Sequence, residues 1–477
     1  RHLVALLCGA ARSVVTTARL DHREGKPTIL SRWFDGDLGS GAVGTSMGSF
    51  AGSLHRVARG DVPACDALDY ELASLLMWQE AEGAGPHHFL AAMAPEFAAA
   101  LEVGRARAGS FLNRFNGSVG PNLDSGAVGQ VSSGKLLSAT TVETYATCPF
   151  RGFLRHELRL EVIDAPERRT TIEPRDRGSL VHEVLERFVK EWLDSGRPWS
   201  GWAAADHVRL AELAVEAFDE YERRGLVGKA LFWGLEKSQI LLDLHRFLDS
   251  DDRCCRATGR VPIAAEYNFG GASAPPLELV AAGRPVRFRG KIDRVDRAPD
   301  GSLSVVDYKT GSSGSFTVLD SDPVGRGERL QLAIYGLAVE TGPGGSGTTS
   351  GERSPRDSVC DVGAVSAEYR FVSSRAERES IGIVLDERAR HRVGEALDVL
   401  VAMIDSGSFP ARPGAPDRAG YKNCQLCEFD ALCVADRDRA WQRVRSDPRL
   451  REYVALVEPD DLSLADDLDP NGATDAV

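Results

Sequence analysis

Three residues on two adjoining segments carry the sharpest chemistry in this chain. Gly290-Lys291-Ile292-Asp293-Arg294-Val295 is followed after a short connection by Val305-Val306-Asp307-Tyr308-Lys309-Thr310-Gly311. Both segments read as strands, and Asp300-Gly301 between them is a tight-turn signal, so together they read as a hairpin. A hairpin brings Asp293 and Asp307 close. Asp307 and Lys309, two residues apart, share one side of a strand. Two carboxylates at close range repel each other and resist ionising. A divalent, oxygen-seeking cation relieves that repulsion: Mg2+ binds through one or two carboxylates, keeps several waters and accepts phosphate oxygens. A lysine beside it would hold, or help deprotonate, a metal-activated water, and the metal would stabilise charge developing on a phosphate. An isolated Asp-x-Lys is more often a solvated ion pair. Further polar residues raise this one above that reading: Glu266 on the preceding strand, Gln331 and Tyr335 four apart on one face of the following helix, and His182 on an earlier helix.

A second group is built from sulfur. Cys424-x2-Cys427-x5-Cys433 places three thiolates in one short stretch, and Cys148, before the rest of the α/β segment, is the candidate fourth ligand. Four thiolates suit either Zn2+ or a [4Fe–4S] cluster. Structural zinc sites more often use two close pairs, whereas this arrangement has one remote cysteine and three clustered ones. Such a site would be structural, tying together two distant parts of the chain. The total of nine cysteines is odd and the chain is large, which argues against a secreted disulfide framework. Cys8, Cys65, Cys254, Cys255 and Cys360 read as ordinary core or surface residues.

The elements that must position these residues follow from periodicity. Arg177–Leu193 reads as an amphipathic helix, with Leu180, Val184, Leu185 and Phe188 on one face. Helices are expected near Ala205–Arg224, Lys229–Leu248, Glu328–Glu340 and Asp386–Asp405. Strands are expected at Val261–Phe269, Val286–Asp296, Leu303–Lys309 and Val362–Val372. That order predicts a mixed α/β layer with antiparallel neighbours, not a doubly wound parallel sheet. Upstream, residues 1–108 read as mostly helical, with helices at Asp66–Gln79 and Pro95–Arg107 and a short strand at Val14–Thr17. Residues 109–136 are rich in Gly, Ser and Asn and read as a flexible linker. Residues 137–440 form the main domain. Residues 441–477 read as a helix and a disordered acidic tail, and Thr341–Arg356 as a mobile loop. Gly129-x4-Gly134-Lys135 nearly spells a phosphate loop, but Leu136 stands where Ser or Thr should bind Mg2+ and no strand precedes it.

In combination these residues resemble the PD-(D/E)xK nuclease superfamily, in its RecB/AddB branch. His182 matches the helical histidine, Glu266 the acid of the first core strand, Asp293 the G-x-I-D-R-V aspartate, Asp307 and Lys309 the D-Y-K-T signature, and Gln331 with Tyr335 the Q-x-x-x-Y helix. The resemblance spans about Leu137 to Ala435. It implies a restriction-endonuclease-like core, a mixed sheet flanked by helices. It implies Mg2+ (or Mn2+) held by His182, Asp293, Asp307 and the Tyr308 carbonyl. Lys309 would position the attacking water, and Gln331 and Tyr335 would orient it or contact DNA. The cysteine arrangement resembles the iron–sulfur clasp of AddB-type and Cas4-type nucleases, which implies a [4Fe–4S] cluster, with Zn2+ the alternative. The expected activity is exonucleolytic hydrolysis of single-stranded DNA at double-strand breaks, in the cytoplasm at the nucleoid, with a helicase subunit or upstream helicase domain as partner. Leu3–Arg12, Ser13–Thr17 and Ser31-Arg32-Trp33 resemble the end of the motor region of actinobacterial AddB-like proteins. With Arg at position 1, the chain is expected to be the C-terminal part of a longer helicase–nuclease. A non-cleaving DNA-binding scaffold and a Cas4-like spacer-processing nuclease are the alternatives.

Of the 477 residues, 43% are hydrophobic and 27% charged, a composition ample for buried cores. No apolar run approaches the ~20 residues of a membrane span, so no membrane partner is expected. Lys and Arg number 57 against 70 Asp and Glu, a net charge of −13 that at first argues against nucleic acid. The charge is unevenly placed. Glu458–Val477 holds seven acids and no Lys or Arg, whereas Arg284–Arg297 holds six basic residues and two acids. DNA is therefore expected at the hairpin, with binding that weakens steeply in salt.

Overall fold

The computed structural model describes residues 95–120, 135–162, 169–271, 274–341, 364–417, 420–434 and 436–459, with isolated positions between 57 and 77. The expected Val14–Thr17 strand, the loop after Thr341 and most of the acidic tail lie outside the described residues, as does much of Asp66–Gln79. The chain divides into two compact units, one of residues 1–109 with 428–433 and one of residues 110–427 with 434–477. In the first, α1 (Pro95–Ala108) carries Glu96 in its first turn and Arg105 and Arg107 in its last, as the helix dipole favours.

The larger unit is mixed α/β, as the periodicity predicts. Its helices are α2 (Ala139–Thr147), α3 (Pro174–Asp194), α4 (Ala204–Arg223), α5 (Ala230–Thr258), α6 (Gln331–Thr341), α7 (Glu387–Asp405), α8 (Arg437–Val444) and α9 (Arg451–Val457). Its main sheet has five strands in the order β2 (Val261–Phe269), β5 (Gly290–Arg297), β6 (Leu303–Lys309), β7 (Val365–Phe371), β8 (Ser380–Val384). Neighbours are antiparallel except β6 and β7, which run parallel. A smaller sheet orders β1 (Leu136–Leu137), β4 (Arg284–Phe288) and β3 (Leu277–Ala281), and β9 (Pro416–Asp417) pairs with β10 (Gly420–Tyr421).

Two hydrophobic clusters lie around the main sheet. Helices α3, α4 and α5 bury Leu180, Val184, Phe188, Leu210, Phe218, Ile240 and Phe247 together with Val306 and Tyr308 of β6 and Val372 just past β7. The other cluster joins Val295, Val305 and Ala367 to Ile334 of α6, Leu397 and Leu400 of α7, and Val454 of α9. On β6, Val305 and Val306 fall in different clusters, the alternation a strand imposes. Local signals fix the helix ends. Pro174 opens α3, the Asp386 carboxylate accepts the Ala389 N–H (2.7 Å) to cap α7, and Gly259 closes α5 with a left-handed φ of 68°.

Three expectations need correction. The single strand expected at Val286–Asp296 is two strands in two sheets, parted at Arg289. The Arg289 N–H donates to the Leu137 carbonyl (2.8 Å) of the smaller sheet. At Gly290 a Cβ would come within 2.7 Å of the Phe269 and Tyr335 rings, so the chain can pass only as glycine. The helix expected from Glu328 starts at Gln331, because Gly325, Arg326 and Gly327 all take left-handed φ values of 52°, 59° and 80° just before it. Finally, α5 runs ten residues beyond Leu248, to Thr258, and β3 and β8 are additional strands.

Candidate active site

The site forms where two strands part. The β5–β6 ladder ends at the pair Arg294–Val306, and Asp293 and Asp307 are the next residues beyond it. Asp293 Oδ2 accepts the Tyr308 N–H (2.7 Å), so a side chain replaces the missing rung and holds the fork open. On the other side of β5, Ala265 pairs with Arg294 and Tyr267 with Ile292, which sets Glu266 across from Asp293. Glu266 takes a left-handed φ of 55° inside a strand, a conformation that costs a non-glycine residue about 1–3 kcal/mol.

Around the fork the expected residues form one hydrogen-bonded set. His182 Nδ1, from α3, lies 3.1 Å from Asp293 Oδ1. Lys309 Nζ donates to Asp307 Oδ2 and to Gln331 Oε1 (3.1 Å). Gln331 Nε2 reaches Asp307 Oδ1 (2.8 Å) and the Tyr335 hydroxyl (3.2 Å). The ammonium of Lys309 also sits 4.7 Å from the centre of the Tyr369 ring. The exit of β6 is tied down by Arg177 at the start of α3, which donates to the Thr310 carbonyl (3.3 Å) and to Asp243 (2.8 Å). Tyr308 contributes its backbone N–H to Asp293, and its ring packs against His182 and Phe247. Glu266 is ion-paired with Lys291, which also reaches Glu186 (3.4 Å).

The electrostatics show a set rich in acid. Burial pushes the Asp307 carboxyl above its usual range; Asp293 adds to this, while Lys309 and His182 pull against it. For His182, burial alone would lower the imidazole; its hydrogen bond to Asp293 and the charges of Asp293 and Asp307 outweigh that and raise it. The Tyr335 hydroxyl is pushed up to about 12, chiefly by burial. Glu266 Oε2 is buried, with the Lys291 ammonium against it. Three buried carboxylates beside a histidine suit a hard divalent cation. Among the described residues no three His, Cys, Asp or Glu side chains converge as a ready-made metal cage. The Lys309 ammonium and the Tyr308 N–H occupy the oxygens such a cage would use.

Of the cysteines, Cys148 caps the C-terminus of α2, and its buried thiol is pushed up, with Cys424 close enough to add to the shift. Asn423, beside Cys424, donates to the Thr147 carbonyl (2.8 Å). The Cys427 N–H donates to the Cys424 carbonyl (3.1 Å). Cys433 belongs to the other compact unit, where its N–H donates to the Asp430 carbonyl (3.2 Å).

Two features escape a reading of the sequence. One is Glu143 on α2, whose Oε1 accepts the Gln331 N–H (2.8 Å). A signal for it exists: Leu330, just before α6, cannot cap a helix. The other is a closed ion cluster beside the site. Arg294 donates to both oxygens of Asp251 (2.9 and 2.7 Å) and to Asp296 (2.8 Å), with Arg370 3.5 Å from Asp251. Asp296 lies two residues along the same strand, but Asp251, 43 residues upstream, is too distant in sequence to be read as a partner.

A forked mixed sheet carrying Asp293, Asp307 and Lys309 is the architecture of one nuclease class. The family model for the PD-(D/E)XK nuclease superfamily matches residues 136–434, and the chain belongs to that superfamily. Among curated proteins it is similar to three that are each named as a subunit of an ATP-dependent helicase/deoxyribonuclease. That of Moorella thermoacetica is 31% identical over 205 residues, covering 42% of this chain and 17% of the relative. That of Desulforudis audaxviator is 29% identical over 225 residues (45% and 18%), and that of Anoxybacillus flavithermus 28% over 205 (42% and 17%). The matched region thus spans less than a fifth of these relatives. No helix among the described residues is long and apolar enough to cross a membrane.

Proposed function

We propose that this chain is the nuclease part of a helicase–nuclease, a metal-dependent deoxyribonuclease that hydrolyses phosphodiester bonds of single-stranded DNA during processing of broken ends. The observation that carries the reading is the fork itself, where Asp293, Asp307, Lys309 and Gln331 meet at the end of a ladder. The superfamily membership and the helicase/deoxyribonuclease names of the relatives support it. The working complex would include DNA and a helicase subunit or domain, in the cytoplasm at the nucleoid.

His182, Asp293, Asp307 and the Tyr308 carbonyl would hold the metal, Mg2+ or Mn2+, with Glu266 beside them. When bound, the metal supplies an activated water and charge stabilisation at the phosphate. The chain's own residues do the rest. Lys309 would hold the attacking water through its ammonium. Gln331, already bonded to Lys309 and Asp307, fixes the direction of that ammonium. Tyr335 braces Gln331 one turn along α6. Lys291, half-exposed beside Glu266, is placed to meet a neighbouring phosphate. The cysteines Cys148, Cys424, Cys427 and Cys433 would hold a [4Fe–4S] cluster, with Zn2+ as the alternative. An absorbance spectrum of anaerobically purified protein distinguishes the two.

The test is cleavage of labelled single-stranded DNA with Mg2+, then Mn2+. Wild type cleaves; Asp307→Ala and Lys309→Ala each lose cleavage while keeping a folded circular dichroism spectrum. Full Mg2+-dependent cleavage by both variants would remove the site assignment. Binding of DNA by wild type without cleavage under either metal would leave a non-cleaving scaffold.

A further inference from the structure

Helix α6 begins with Gln331, the residue that bridges Asp307 and Lys309, yet the chain gives this helix no cap of its own. Leu330 stands at the cap position: its carbonyl accepts the Ile334 N–H (2.9 Å), and its side chain cannot accept the first N–H groups. Arg329 and Glu328 come before it, and Glu328 is engaged elsewhere, with Arg412 at 2.9 Å. The missing acceptor arrives from 188 residues upstream. Glu143 Oε1 takes the Gln331 N–H at 2.8 Å. A carboxylate at the positive end of a helix is favoured by the dipole as well as by the hydrogen bond. Glu143 also lies within electrostatic reach of Arg329, Lys309, Tyr335 and Tyr369.

Glu143 is itself held firmly. Its helix, α2, is capped at the N-terminus by Ser138, whose hydroxyl accepts the Thr141 N–H (3.1 Å). At the other end the α2 carbonyls are bound from several directions. Arg412 donates to those of Ala146 (3.3 Å) and Thr147 (3.2 Å), Tyr453 to Ala146 (2.9 Å) and Asn423 to Thr147 (2.8 Å). Val142, Tyr145 and Ala146 bury the face between. The nine-residue helix is therefore a strut pinned at both ends, and Glu143 is the point at which it grips the first turn of α6.

We propose that Glu143 is a positioning residue for the nuclease reaction, capping α6 in place of a local residue and so fixing Gln331 against Lys309 and Asp307. This rests on the nuclease reading above. Glu143 touches neither water nor phosphate; it acts through the Gln331 backbone. Its removal lets the first turn of α6 fray, and the Gln331 amide then no longer directs the lysine.

The test compares Glu143→Ala with Glu143→Gln in the full chain, since glutamine keeps a carbonyl acceptor of nearly the same reach. Single-turnover cleavage of single-stranded DNA, KM, Tm and amide hydrogen exchange of Gln331 are measured for each. Glu143→Ala is expected to lower kcat about 10- to 100-fold, the penalty of a slightly misplaced catalytic group. KM should stay within about twofold, and the Gln331 amide should exchange faster. Glu143→Gln should recover most of the rate and the protection. A folded Glu143→Ala with wild-type kcat and unchanged exchange overturns the proposal. So does a fall in Tm with an unchanged rate per folded molecule, which marks a purely structural residue. If Glu143→Ala fails to fold, Glu143→Gln decides: wild-type-like protection at Gln331 and rate support capping, and loss of both overturns it. If wild type itself does not cleave, the nuclease reading falls, and exchange at Gln331 still tests the cap.

Discussion

Neighbouring residues on β5 lead into two charge clusters that differ in how they are balanced. Asp293 enters the fork, and Arg294 points the other way into the closed ion cluster. In the closed cluster Asp251 and Asp296 each face the Arg294 guanidinium. Arg294 binds both oxygens of Asp251, Arg370 supports it, and the Trp202 indole donates to Asp251 at 2.8 Å. Burial would raise the Asp251 carboxyl, but Arg294 and Arg370 hold it below its usual range, while at Asp296 burial outweighs Arg294 and raises the carboxyl. At the fork burial wins at Asp307 too, but there the neighbouring Asp293 adds to it and the answering charges are a lysine and a histidine, not a guanidinium that grips both oxygens. A balanced buried cluster fixes how helices sit on a sheet. An unbalanced one leaves the protein short of positive charge at one place, which is what a site for a cation and a phosphate requires.

The two clusters should respond oppositely to mutation. The largest expected effect is at the fork: Asp307→Ala should lower cleavage at least about a thousandfold, while Tm stays level or rises because a repelled carboxylate is gone. A Tm fall of many degrees in that variant would make the fork structural. Next is Arg294→Met, which strands Asp251 and Asp296. It should cost about 3–5 kcal/mol in denaturant unfolding, with residual activity following the folded fraction. A smaller effect separates the clusters by pH. The raised Asp307 carboxyl contributes stability below its unfolded pKa and loses it as pH rises through the higher folded value. Mg2+ needs the ionised form, so the stability gained from Mg2+ should grow as pH rises through that value, reaching about 2.7 kcal/mol at a hundredfold excess over Kd. Asp251 runs the other way: its stabilisation is present above the unfolded pKa, is lost as pH falls through the depressed folded value, and should be indifferent to Mg2+. An Mg2+ increment flat with pH would separate Asp307 from metal binding. The smallest effect lies outside both clusters. Cys427→Ser should lower Tm by a few degrees with cleavage per folded molecule unchanged, and an unchanged Tm with no loss of bound iron would count against the clasp.

The fork is readable in the sequence, whereas the closed cluster and the cap are not, for a physical reason. Asp293, Asp307 and Lys309 lie on two strands whose period of two and Asp-Gly turn are local signals, and Gln331 with Tyr335 share a face by helical spacing alone. His182 is reachable only through its place in a family motif order, since nothing local ties it to Asp293. Arg294 counts in the sequence among the basic residues expected to face DNA and is instead 1% exposed, because its partner Asp251 sits on a helix whose register against the sheet no local pattern specifies. The break at Gly290 escapes because it depends on the Phe269 and Tyr335 rings arriving from other elements.

The spacing of the fork's partners along the chain has a consequence for when the site comes into being. Lys309 and Asp307 are two residues apart, Tyr308 and Asp293 fifteen, and Gln331 and Asp307 twenty-four. His182 and Asp293 are separated by 111 residues, and Glu143 and Gln331 by 188. Hairpins close in microseconds, while each longer loop adds entropy that must be overcome before its contact forms. The acids and the lysine are thus expected to assemble early, and the histidine and the cap late. A chain stalled between those stages would hold a reactive hairpin without the parts that aim it. Pulse-labelled hydrogen exchange during refolding would show this as protection at Tyr308 preceding protection at Gln331.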